Sequence, residues 1–141
     1  MTETITCGLL IKQINDALEK RANNMLRPAR LTVTQLGALL ALDRAPNGNL
    51  TMKDMERELH VAQSTTVGIM SRLEQKGFVE GFGDTADRRV KRVRITEEGA
   101  QMCAMARENM AAEDRFLMSI FSPEEQEEFL AQLQKLQKHL N

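Results

Sequence analysis

QSTTVGIMSRLEQKGFVEGFGDTADRRVKRVRITEEG, residues 63–99, changes its period twice, and those two changes decide the fold. From Gln63 to Lys76, Val67, Met70 and Leu73 recur at helical spacing and predict the buried face of a helix. Gly77 stands where a left-handed C-cap ends such a helix. Phe78–Phe82 then alternates like a strand. So does Val90–Ile95, with Lys91, Val93 and Ile95 on one face and Arg92 and Arg94 on the other. Gly83–Asp87 between them reads as a hairpin loop, and after Thr96 the helical period returns. The ribbon also holds the densest basic run of the chain, Asp87–Arg94, with five cations against one carboxylate. Taken alone, such a run suits either a nucleic-acid contact or a solvated strand pair.

Toward the N-terminus, Leu10, Ile14, Ala17 and Leu18 predict a first helix over 5–26, stopped by Pro28. Thr32-x-x-Gln35 is a capping-box pattern opening a second helix with Leu36, Leu39 and Leu40, which ends at the turn cluster Pro46–Asn49. Thr51-x-x-Asp54 opens a short third helix, and His60–Ala62 joins it tightly to the helix at 63–76. Downstream, Met102, Met105, Ala106 and Met110 continue a helical stripe toward Phe121. Ser122-Pro123-Glu124-Glu125 starts a last helix with Phe129, Leu133, Leu136 and Leu140 on one face. The expected fold is mostly α with a small β wing: a winged helix-turn-helix over 31–98, an N-terminal dimerisation helix over 1–30 and C-terminal dimerisation helices over 99–141. The terminal stripes exceed what so small a unit can cover, which predicts a homodimer.

Composition narrows the class. The chain has 141 residues, 42% hydrophobic and 28% charged, enough to bury a core without disulfides or metal. No run approaches the roughly 20 apolar residues of a membrane span. The start, MTETITCGLLIKQIND, lacks a basic n-region, so a cytoplasmic protein with no membrane partner is expected. Two cysteines, Cys7 and Cys103, and two histidines show no metal-ligand spacing. No nucleophile–base pair, phosphate-cradling loop or carboxylate couple is visible, so neither an enzyme nor a cofactor is expected. The net charge of −1 divides unevenly: residues 1–96 carry a net +4 and residues 97–141 a net −5, which suits two halves with different partners.

Three features carry a family resemblance: SRLEQKGFVE at 71–80, the wing DRRVKRVRITEEG with Asp87, Arg89, Thr96 and Gly99 at its marked positions, and the helical order with long terminal helices. Together they resemble the MarR family of bacterial regulators over nearly the whole chain. The resemblance implies an intertwined dimer that recognises palindromic operators, commonly released from DNA by small aromatic acids, drugs or oxidants. Two positions depart from the pattern. Ala62 stands near the place where Ser or Thr usually caps the recognition helix, and Gly68 where relatives often carry a basic or polar residue.

With double-stranded DNA as the partner, the helix at 63–76 enters the major groove. Gln63, Ser64, Thr65 and Thr66 are its candidate contacts, with Arg72 nearer a phosphate or groove edge. In the wing, Asp87 is expected to pair with Arg89 and fix the loop. Arg88 or Arg89 then reaches the minor groove, flanked by Lys91, Arg92 and Arg94 at phosphates. A small-molecule effector pocket draws on Ile11, Ile14, Leu36, Met102, Met105 and Met110, although apolar residues at this spacing equally make plain core. The chain has no Tyr and no Trp to grip a ligand. Two other readings stay open. Cys7 resembles the N-terminal cysteine of the peroxide-sensing branch of the family, without that branch's tyrosines. The winged fold also serves as a protein-interaction module.

Overall fold

The computed structural model describes residues 4–83, 86–87 and 89–141. Among them the order is α1 (Cys7–Leu26), a 3-10 turn (Arg27–Ala29), α2 (Val33–Arg44), a second such turn (Pro46–Gly48), β1 (Asn49–Thr51), α3 (Met52–Leu59), α4 (Gln63–Gln75), β2 (Val79–Gly83), β3 (Lys91–Ile95), α5 (Glu97–Met118) and α6 (Pro123–Leu140). The chain forms two compact units, Met1–Cys103 and Ala104–Asn141, divided within α5.

Reciprocal capping boxes written into the sequence start three of the helices. Gln35 N donates to Thr32 Oγ1 at 3.1 Å, while Thr32 N donates to Gln35 Oε1 at 3.2 Å. The same reciprocal pair joins Thr51 to Asp54 and Ser122 to Glu125. Each box satisfies two backbone donors that the helix itself leaves unpaired. α4 differs, because its N-cap Ala62 offers no side-chain bond. Ala62→Ser is therefore expected to stabilise the protein by about 0.5–1 kcal/mol. The check is a higher urea midpoint at an unchanged m value.

The core of the first unit gathers around α2, where Leu36, Ala38, Leu39, Ala41 and Leu42 are all buried. α3 adds Met55, β2 adds Val79 and β3 adds Val93. α4 contributes Thr66, Ile69, Met70 and Leu73, which corrects the expected inner face. Val67 is not in it and stays 49% exposed, whereas Thr66 is fully buried. The Thr66 hydroxyl tolerates burial because it donates to Ala62 O, one turn back, at 3.2 Å. Thr66 is thereby removed from the candidate DNA contacts.

The wing is also larger than the expected two-stranded ribbon. The sheet has three strands in the order β1-β3-β2, all antiparallel. Leu50 and Gly81 both sit opposite Val93, so β3 is the central strand. The Thr96-x-x-Gly99 motif locks this sheet to its neighbours. Thr96 N donates to Phe78 O at 3.0 Å. The Thr96 hydroxyl donates to Gly77 O at 2.7 Å and accepts from Gly99 N at 3.1 Å. Gly77 itself has φ +81, a conformation that favours glycine.

In the second unit, Gln126 Nε2 donates to Met118 O at 3.0 Å and to Phe121 O at 3.2 Å. The Phe121 and Phe129 rings stack at 5.1 Å. Together these contacts fix the turn between α5 and α6. α6 nevertheless buries no residue, and α1 buries only Leu26. Leu10, Ile11, Ile14 and Leu18 on α1, Phe116 on α5, and Leu130, Leu133 and Leu140 on α6 are exposed. Among the described residues, no helix is long and apolar enough to cross a membrane.

Candidate nucleic-acid interface

α4 turns a polar face to solvent. At about 3.6 residues per turn, the buried positions Thr66, Ile69, Met70 and Leu73 lie opposite a ridge of Ser64, Gly68 and Ser71. Gln63 and Val67 flank the ridge on one side, and Thr65 and Arg72 on the other. All seven are exposed. A Cβ built on Gly68 meets nothing within 4 Å, so this glycine serves no close packing inside the chain. Gly68→Ala is therefore expected to raise stability by about 1 kcal/mol, read as a higher melting temperature.

Beside α4 lies an open cleft of about 1000 Å³ between α3, α4 and the β2–β3 strands. Lys53, Arg57, Arg89, Lys91 and Arg92 line it, against two carboxylates, Glu56 and Glu74. Lys53 and Arg57 were missed in the sequence. Their i,i+4 spacing puts them on one face of α3, but the interspersed Asp54, Glu56 and Glu58 hide that face in any count of net charge.

The wing cations divide by how far each is engaged. Arg89 N donates to Asp87 Oδ1 at 3.0 Å, Arg89 Nε to the same oxygen at 3.2 Å and Nη2 to Oδ2 at 3.4 Å. The Arg89 side-chain and backbone donors hold the Asp87 carboxyl below the usual carboxylate range, so it stays ionised at neutral pH. The Arg89 side chain is still 91% exposed, hence oriented but accessible. Lys91 and Arg72 are exposed. Arg92 is half-buried, with Nη1 donating to Asn49 Oδ1 of β1 at 3.1 Å. Arg94 pairs across the sheet with Glu80 at 2.6 Å and lies 4.7 Å over the Phe82 ring, so its charge is balanced within the sheet. Arg88 lies outside the described residues.

The expected effector residues separate in burial. Leu36 and Met102 belong to the core and expose less than a tenth of their surface, so neither offers a face to a ligand. Ile11, Ile14, Met105 and Met110 are exposed. Cys7 is exposed at the first residue of α1, and Cys103 is buried. Among the described residues, no group of three potential metal ligands occurs.

The sequence model of the MarR family matches residues 31–90, the segment that holds α2, α3, α4 and the wing as far as Val90. The multiple antibiotic resistance protein MarR of Salmonella typhimurium is 31% identical over 101 residues, spanning 72% of this chain and 69% of that protein. The chain belongs to the MarR family. MarR-family proteins are winged-helix transcriptional regulators that bind DNA, not enzymes. The fold agrees over nearly all of the chain. MepR, a transcription regulator of the Staphylococcus aureus multidrug efflux pump MepA, superposes with a TM-score of 0.85 at 23% identity, covering 97% of this chain and all of that one. MepR in complex with DNA gives 0.80 at 24% identity, over 96% and 99% of the two chains. Wild-type MarR of Escherichia coli gives 0.76 at 25% identity, over 99% and 98%.

Proposed function

We propose that this MarR-family regulator is a homodimeric repressor that binds a palindromic operator and is released by a small lipophilic or aromatic ligand. α4 enters the major groove with Gln63, Ser64 and Thr65 toward base edges, and the wing carries Arg89 to the adjoining minor groove. One observation carries this reading: the cations of α3 and the wing line a cleft along one flank of the exposed face of α4. A phosphate backbone passing from major to minor groove there meets five cations against two carboxylates.

Dimerisation is supported by the apolar side chains that α1 and α6 leave exposed, since a monomer rarely exposes so much apolar helix surface. Ligand release is supported by the relatives, one named for multiple antibiotic resistance and another a regulator of a multidrug efflux pump. The exposed Met105 and Met110 suit an adaptable apolar contact. Sedimentation velocity with a duplex from upstream of the protein's own gene tests the dimer, the operator and the release. Two protomers per inverted repeat are expected, with dissociation when aromatic carboxylic acids are added. One protomer per duplex contradicts the dimer, and indifference to the acids contradicts the release.

A further inference from the structure

The outward ridge of α4 is bare until Gln75 at its C-terminal end. Ser64, Gly68 and Ser71 place nothing larger than a hydroxymethyl group along it. Gly68 has neither of the usual reasons to be glycine. Its φ is not positive, and beyond the adjoining residues and backbone of its own helix no atom lies within 4 Å of where its Cβ would stand. A mid-helix glycine costs about 1 kcal/mol against alanine, so its use here points outside the chain, to a surface that approaches the helix backbone closely.

Val67 stands next to that gap. It is 49% exposed, while the other exposed residues of α4 are Gln63, Ser64, Thr65, Gly68, Ser71, Arg72, Glu74 and Gln75. Val67 is thus the one apolar side chain on the solvent face of this helix. An isopropyl group bonds neither to a phosphate nor to a polar base edge. The 5-methyl of thymine is the apolar group that the major groove presents to it. Val67 also lies on the flank that lines the cationic cleft, where phosphates on that side would fix the register of the helix.

We propose that Val67 is a specificity-determining residue that packs against a thymine 5-methyl, and that the gap at Gly68 lets α4 sit deep enough for the contact. This rests on α4 being the major-groove helix. The ridge supplies depth, the cleft supplies register, and Val67 supplies discrimination of a T·A pair at one position of each half-site.

The test begins by selecting a duplex from a randomised library with the full-length protein. Each thymine of that duplex is then replaced in turn by deoxyuridine, which removes only the methyl. Binding is measured by fluorescence anisotropy for the wild type, Val67→Ala and Gly68→Ala, with melting curves confirming that each variant folds. At one thymine per half-site the wild type is expected to lose about fourfold in affinity, the value of one buried methyl. Val67→Ala should be indifferent to the same replacement. Gly68→Ala, although more stable, should bind the selected duplex more weakly. The proposal is overturned if no thymine methyl matters, if Val67→Ala keeps the full penalty, or if Gly68→Ala binds as tightly as the wild type. A library that yields no preferred duplex would instead bring down the DNA-binding reading, and this inference with it.

Discussion

Replacing Arg89 and Lys91 together with alanine is expected to lower affinity for duplex DNA at least about a hundredfold at physiological salt, without lowering the melting temperature appreciably. The expectation follows from how the wing is built. Arg89 is held in place by Asp87 through its backbone N–H and its guanidinium, yet leaves 91% of its side chain in solvent. Lys91 is exposed beside it at the start of β3. Neither contributes to the core, so their removal takes charge from the surface and little else. In a dimer the pair removes four cations from the interface. The slope of log affinity against log salt should then become shallower by about 0.9 for each phosphate that the variant leaves unneutralised. Arg94→Ala provides the contrast. Its guanidinium is engaged with Glu80 and Phe82, so the substitution should disturb the β2–β3 pairing more than the salt slope.

Gly99→Ala is expected to destabilise the protein by about 3 kcal/mol or more, at or beyond the upper end of the usual overpacking cost. A Cβ at this position would stand 2.2 Å from Phe78 O and 2.7 Å from Ile95 Cγ1. The nearer atom is backbone and cannot rotate away. Phe78 O also accepts Thr96 N, so moving it breaks a bond of the joint between β2 and α5. A loss of that size is a large share of the roughly 5–15 kcal/mol that holds a domain folded. Urea unfolding reads it directly. Gly68→Ala should shift the midpoint the other way, because a methyl there meets open space. The two glycines lie on the same chain, and the surroundings of each set opposite signs.

Local rules made most of the helix starts legible. A threonine or serine three residues before a Gln, Asp or Glu was enough to locate α2, α3 and α6, because the capping box is complete within four residues. Gly77 marked the end of α4 for the same reason. β1 was hidden because nothing local makes Asn49–Thr51 a strand. It exists because β3, more than forty residues away, offers an open edge. The inner face of α4 was placed one residue off, since hydrophobicity favours Val67 over Thr66. Burying Thr66 is possible only because its hydroxyl finds the carbonyl of Ala62. Lys53 and Arg57 escaped notice because a mixed-charge helix shows a cationic face only when its neighbours in space are known.

The most direct test of DNA recognition through α4 and the wing is fluorescence anisotropy with a labelled duplex from the protein's own promoter, titrated across a salt series beside a scrambled duplex of equal length. Clear preference for the promoter duplex is expected, with an affinity that falls steeply and linearly in log salt. A flat salt response, or equal affinity for the two duplexes, would rule out recognition of this kind.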